Sequence, residues 1–256
     1  LGGTTGIAVG SFTANRTRLQ QKQNIADDPS DHNIDAGKFP APEIEARNNF
    51  ALRGFFLSHA AETLHWLMDK GLNFHGPSPE PPNRVPRMHN VVPNAKAYIA
   101  TLQAELLRRG GVIICKAVVW NVNKSAGKVT GVTAKVDGQE QTFTATRGVV
   151  LAAGDYANNP AIIARYKGDR FSVVEGINPN ATGDGHTLAE AAGAKMLNMD
   201  VTYGPELRFI APKNKPFSQL LPSSGFAARV MGMLMPLAPK VLINAMIKRL
   251  LVTWQH

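Results

Sequence analysis

"NPNATGDGHTLAEAAGA", residues 178–194, sets Asp184 between two glycines and directly ahead of an alanine-rich run with helical spacing. A plain loop needs neither the second glycine nor the small residues behind it. Backbone N–H groups in a glycine turn, aimed along a helix start, form a site for an anion. A carboxylate at that point would repel a phosphate. Asp184 makes sense there if it takes donors instead, from its own turn or from a hydroxyl or amide of a ligand. It makes equal sense as a helix N-cap, a position that aspartate fills well. The residues alone leave both readings open.

Working upstream, "GVVLAAGDY" (148–156) reads as a short apolar strand ending at Gly154, and Asn159 caps a helix that starts at Pro160. Before it, "KVTGVTAKV", a turn at Asp137–Gly138 and "QEQTFTATR" alternate apolar and polar residues, which predicts a β-hairpin. "VIICKAVVWNV" (112–122) reads as a strand from its β-branched run. Asn94 caps a helix over "AKAYIATLQAELLRR", with Tyr98, Ile99, Leu102, Leu106 and Leu107 on one face and Gly110–Gly111 as the stop. Strand, hairpin, strand, glycine turn and helix in that order predict an α/β domain with a small β insertion.

The first part of the chain is less regular. Residues 13–46 read as an irregular polar excursion with a few short turns. Residues 47–70 carry Phe56, Ala60, Leu64 and Leu67 at helical spacing, with Gly71 as the stop. The proline-rich stretch 75–93 reads as an extended surface loop. The opening "GGTTGIAVGS" (2–11) is a third glycine site beside "LAAGD" and "TGDGH". Each is weak alone; three of them on an α/β layout point to a phosphate-bearing ligand.

Composition sets the limits. The chain has 256 residues, 44% hydrophobic and 18% charged, enough for one large domain or one domain and part of another. Its net charge of +9 suits an anionic ligand or a solvated basic face, and no Lys/Arg run marks nucleic-acid binding. Cys115 is the sole cysteine, which excludes an internal disulfide and a cysteine metal cluster; its apolar run predicts a buried thiol. The seven histidines show no metal-ligand spacing, and His59 and His65 lie on different helix faces, so all read as structural or surface residues. The tail from Val230 to Ile247 has Lys240 as its one charge and prolines at 236 and 239. This predicts two amphipathic helices, not a membrane span, with peripheral membrane contact left open. The first residue is Leu1 and the opening lacks the pattern of a signal peptide, so a fragment or processed product is expected, with a cytoplasmic location.

Four stretches in order, "PNAKAYIATLQAELLRRGGVIICKAVVWNV", "GKVTGV", "RGVVLAAGDYANNPAII" and "ATGDGHTLAEAAGAKMLNMD", resemble the flavoprotein family of fumarate reductases, succinate dehydrogenases and 3-ketosteroid Δ1-dehydrogenases. The opening "GGTTGIAVGS" is similar to that family's glycine segment beside the flavin. The resemblance covers residues 1–12 and 47–200 and fades after Asp200. It implies an FAD-binding Rossmann-like domain with an inserted β-hairpin or meander over residues 1–200, lacking its first βαβ unit. It implies the start of an α+β capping domain over 201–256. It places Gly2, Gly3, Thr4, Gly10 and Ser11 along the pyrophosphate and flavin ring, the Val118 backbone at the adenine, Ala153 and Gly154 against the dinucleotide, and Asp184 on FAD. The helix behind Asp184 would then use Ala189, Ala191 and Ala192 to pack closely.

Two departures matter. Asp155 stands where many members have a second glycine, and Thr4 stands where some relatives carry the histidine that links FAD covalently. The resemblance therefore implies bound but unlinked FAD. It implies two-electron desaturation of a C–C bond, or reduction of a C=C bond, beside a carbonyl or carboxylate. Tyr203, Glu206 and Arg208 are the candidates for substrate contact, with ordinary boundary residues as the alternative. The Met-rich tail suits an apolar small-molecule substrate or simply a cap core. The absence of CxxCH predicts a separate electron donor or acceptor. The alternative from another class is a non-catalytic nucleotide-binding or membrane-peripheral module.

Overall fold

The computed structural model describes residues 2–202, 225–234, 237 and 239. They fall into two compact units, Leu1–Arg109 with Leu207–His256, and Gly110–Glu206.

The first unit opens with the short helix α1 (Gly3–Ile7) and strand β1 (Ser11–Thr13), followed by α2 (Arg18–Lys22), α3 (Pro29–Ala36), α4 (Pro42–Glu45) and the long α5 (Phe50–Asp69). Strands β2 (Asn73–Ser78) and β3 (Met88–Val92) and helix α6 (Lys96–Arg108) complete it. The three strands form an antiparallel sheet in the order β1-β3-β2. Helix α5 starts where Asn49 accepts from the Leu52 N–H, and it stops before Gly71, whose φ of +98° no side chain adopts easily. Of its buried stripe of Leu57, Ala60, Ala61, Leu64 and Leu67, the residues Ala60, Leu64 and Leu67 meet Leu72, Phe74, Val91 and Ala97 in the core. Each large apolar side chain so buried contributes about 1.5–3 kcal/mol. Phe56 does not belong to that stripe: it is 57% exposed, because the buried face centres on Leu57 and Leu64. On α6, Tyr98 and Leu102 pack on this core while Leu106 and Leu107 face solvent. Asn94 bonds the Lys96 N–H at 3.0 Å, although Ala95 occupies the N-cap position.

Two sequence expectations fail in this unit. Residues 13–46 are not an irregular excursion but carry three helices, and 75–93 is not a surface loop but contains most of β2 and all of β3. The reason is a buried ionic cluster that hydrophobic periodicity cannot reveal. Arg87, fully buried, donates twice to Asp27 at 2.7 and 2.8 Å and once each to Asp35 at 2.7 Å and Asn83 at 2.8 Å. Asp35, on α3, also accepts from the Arg84 N–H at 3.0 Å and from Lys38 at 2.7 Å. Burial alone would push its carboxyl up, but donors from Lys38, Arg84 and Arg87 hold it well below the usual carboxylate range. The capping box of α2, Thr17 with Gln20, joins the cluster: Gln20 reaches Asp27 at 2.9 Å, and Thr17 meets His89 at 2.9 Å. His32 bonds Asn15 at 3.0 Å, and burial together with the Arg87 charge pushes its pKa down to about 4. It is a structural histidine, as is His89, whose pKa burial likewise lowers.

The second unit begins with a meander of β4 (Ala117–Ser125), β5 (Lys128–Val136) and β6 (Gln139–Thr144), antiparallel throughout. The turn at Asp137–Gly138 has both residues at positive φ, 48° and 87°, as a two-residue hairpin demands. Helices α7 (Pro160–Lys167), α8 (Asp169–Ser172) and α9 (Asp184–Ala191) follow. Asn159 caps α7 by accepting from the Ile162 N–H.

Here the sequence over-reads the strands. Residues 112–116 and 148–156 are not ladder strands. Their β-branched runs favour extended backbone, but a strand needs a partner for its N–H and C=O groups. No described strand forms a ladder with them, and Val112 and Val150 are 79% and 90% exposed. Cys115 lies in the first of these runs and is exposed, not buried. Helix α9 buries none of its residues, so Ala191 is not a packing residue; it is exposed.

Back in the first unit, α10 (Gly225–Leu234) lies against β2 and β3, with Gly232 where any Cβ would meet Asn73 at 2.6–2.9 Å. Among the described residues no helix is long and apolar enough to cross a membrane. Tyr203, Glu206 and Arg208 lie outside the described residues, as does most of the tail after Leu234.

Candidate functional site

The opening glycines serve two different purposes. Gly10, at φ +90°, is packed shut: a Cβ there would lie 2.6 Å from Val91 Cγ1 and 3.2 Å from Ala95. Its carbonyl accepts from the Val91 N–H at 3.2 Å and the Tyr98 hydroxyl at 3.0 Å. Burial pushes the Tyr98 pKa up to about 12, which keeps that hydroxyl a donor. Ser11 donates to Asn90 at 2.8 Å. Gly10 and Ser11 thus join the segment to β3 and α6.

Gly3 and Gly6 differ. A Cβ at either would meet nothing within 4 Å. With Gly2, Ile7, Lys96 and Gln103 they line a cavity of about 410 Å³ between α1 and α6. The left-handed backbone at Gly3, φ +54°, calls for glycine, whereas neither packing nor backbone requires one at Gly6; the bare backbone of both lets another molecule come close. Thr4 sits between them on α1, exposed.

In the second unit, Ala153, Gly154 and Asp184 come together. The Gly183 N–H donates to the Asp155 carbonyl at 3.1 Å, and Asn158 and Asn159 tie the same two segments through Ala181 and Thr182. Gly183 is left-handed, and a Cβ there would strike Ile162 and Tyr156 at 2.6 and 2.8 Å. A Cβ on Gly185 would lie 3.0 Å from the Ala153 Cβ, whereas Gly154, at φ +85°, has open space in front of it.

Asp184 is not the N-cap; that position belongs to Gly183, whose hydrogen side chain cannot cap. The acid is the first residue of α9, exposed, accepting from Thr182 Oγ1 at 3.0 Å. Its carboxylate complements the helix dipole, and its remaining acceptor positions face outward. Asp155 accepts from the Ala157 N–H at 2.7 Å, which shapes its turn without a second glycine. Val118 is on β4, 64% exposed, with its backbone in register with Lys135.

Two residues escaped the sequence reading. Lys96 is the cation of the α6 cavity wall, hidden because a single lysine in an amphipathic helix looks like a surface residue. His186 stands edge-on to Tyr156 at 4.9 Å with its Nδ1 buried and unpartnered, within the "TGDGH" motif itself.

These features fit a dinucleotide. In the first unit, open backbone at Gly6 and a cation suit an acidic group; in the second, taken by itself, an exposed carboxylate and the first-turn N–H groups of α9, which lack intrahelical acceptors, suit polar groups of a ligand. Comparison with known proteins gives the class. The family described as FAD binding domain matches residues 1–225, and the chain belongs to it; its cofactor is FAD. The resemblance drawn from the motifs is thereby borne out.

The chain is similar to an NADH:fumarate oxidoreductase of Klebsiella pneumoniae (strain 342), 25% identical over 205 residues, covering 78% of this chain and 21% of that protein. It is similar to an NADH:acrylate oxidoreductase of Vibrio harveyi, 29% identical over 150 residues, covering 56% of this chain and 15% of that protein. The chain thus spans about a fifth or less of these relatives' length. Its fold matches the 3-ketosteroid-delta4-(5alpha)-dehydrogenase of Rhodococcus jostii RHA1, with a TM-score of 0.68 at 22% identity over 78% of this chain and 48% of that one.

Proposed function

We propose that the protein is an FAD-dependent oxidoreductase that reduces a C=C bond, or desaturates a C–C bond, beside a carboxylate or carbonyl. The observation that carries this reading is the family match joined to the two relatives, named as an NADH:fumarate and an NADH:acrylate oxidoreductase. Bound FAD supplies the hydride chemistry. The chain supplies position: Gly2, Gly3 and Gly6 offer bare backbone, Gly10 and Ser11 fix that segment on β3, and Gly154 and Asp184 present an open turn and an acceptor. Val118 would contribute backbone groups to the adenine.

The FAD is held without a covalent link, since Thr4 has no ring nitrogen to form one. Tyr203, Glu206 and Arg208 are the proposed substrate contacts, in a segment from 201 onward that opens the substrate side, while 1–200 is the flavin domain. The electron partner is a separate protein or nucleotide.

The test is anaerobic. The FAD-loaded protein is photoreduced and mixed in turn with fumarate, acrylate and a 3-keto-4-ene steroid. Return of the oxidised flavin spectrum with one of them, at one substrate per flavin, supports the proposal. A reduced spectrum unchanged by all three, together with an oxidised spectrum left unbleached by succinate, propionate and a saturated 3-ketosteroid, with FAD firmly bound, leaves a nucleotide-binding module.

A further inference from the structure

We infer that Lys96 is a phosphate-holding residue for the FAD, meeting the diphosphate inside the cavity between α1 and α6; this rests on the FAD reading above. Three observations converge on it. The cavity, about 410 Å³, has a wall of glycine backbone at Gly2, Gly3 and Gly6; positive φ accounts for Gly2 and Gly3, but neither packing nor backbone conformation accounts for Gly6. Lys96 lines the opposite wall, half-buried, and forms no ion pair among the described residues.

It is also the first residue of α6, where the positive end of the helix disfavours a cation. The lysines that support the fold are placed otherwise: Lys38 sits on Asp35 at 2.7 Å, Lys70 on Glu105 at 3.0 Å, and Lys124 on the C-terminal carbonyl of Ala192 at 2.7 Å. The Lys96 charge therefore costs the helix stability and is compensated by no acid among the described residues. A bound dianion supplies the missing partner. Gln103 lies on the same face of α6, about 10 Å further along the axis, and Ile99 and Ala100 lie between them. That wall is cationic at one end and apolar along its length, which suits a phosphate carried on a less polar body.

The test uses the full chain and FAD itself, with affinities from flavin fluorescence at several salt concentrations. Lys96→Ala is expected to weaken FAD binding roughly tenfold to a hundredfold, the range of one charge-assisted contact, and to flatten the salt dependence. Lys96→Arg is expected to restore most of the affinity and the slope. The melting temperature without FAD should stay level or rise in both variants, since an uncompensated charge is removed or kept. Equal FAD affinity, or an equal salt slope, in wild type and Lys96→Ala would overturn the assignment. A wild-type chain that binds no FAD would overturn the cofactor reading itself, a separate result from a wild type that binds and a variant that binds equally.

Discussion

Arg87 is surrounded by Asp27, Asp35 and Asn83 at 2.7–2.8 Å, and Lys96, a little further along the same unit, faces bare glycine backbone across a cavity. Both are cations in one compact body, and they answer to different demands. A charge taken fully out of water needs partners inside the protein, because an unpaired one costs several kcal/mol. A half-buried charge beside a cavity can find its partner in a ligand. The glycines divide the same way. Gly10 exists because Val91 and Ala95 leave no room for a Cβ, while Gly6 has room and an ordinary helical backbone and still lacks one. Closed glycines and paired charges hold the fold; Gly6 and Lys96 are the positions we propose for the cofactor.

Substitutions can break this contrast. Arg87→Ala strands Asp27 and Asp35 in the interior and is expected to cost about 4 kcal/mol, read as a collapsed urea midpoint. Gly10→Ala adds a clash to a positive φ and is expected to cost about 3 kcal/mol. Gly6→Ala should do the opposite: it stabilises α1 by about 0.5–1 kcal/mol while filling the cavity, so the melting temperature holds or rises as FAD affinity falls. A Gly6→Ala protein with lower stability and unaltered FAD affinity would merge the two kinds of glycine.

Acid titration sharpens the buried side. His32 has a folded pKa of about 4 against an ordinary 6.5, because charging it means charging a buried ring near Arg87. Its contribution is complete above pH 6.5 and is lost as the pH falls toward 4, up to roughly 3 kcal/mol. His65 and His89 are lowered by burial too and act in the same direction. Asp35, also lowered, adds its loss below the ordinary carboxylate pKa of 3.8. Urea midpoints measured from pH 7 to 4 should fall, and His32→Gln should flatten that fall. The smallest effect is chemical: exposed Cys115 should react with iodoacetamide in the folded chain, with no change in the circular dichroism spectrum.

What the sequence revealed follows from the range of the forces involved. The β5–β6 hairpin and the start of α7 were legible because Asp137–Gly138 and Asn159–Pro160 act within a few residues. Helix α3 was not, because its buried residues are His32 and Asp35, and its partners lie far along the chain; Arg87 is 52 residues from Asp35. Strand β2 hid behind Pro77, tolerated because β2 is an edge strand of its sheet. Apolar runs at 112–116 and 148–156 promised strands, yet a ladder depends on neighbours that local pattern does not specify. At the candidate site, the motifs around Gly2, Gly154 and Asp184 were readable as glycine turns. Lys96 was not, since its significance lies in what faces it.

The most direct measurement is an FAD titration of the wild-type chain followed by acid precipitation of the complex. One FAD bound per chain, with the flavin colour passing into the supernatant, is the result expected of a site built from open glycines and the unlinked position Thr4. A chain that takes up no FAD at any concentration would contradict the account, and colour retained in the pellet would contradict its claim that the cofactor is held without a bond.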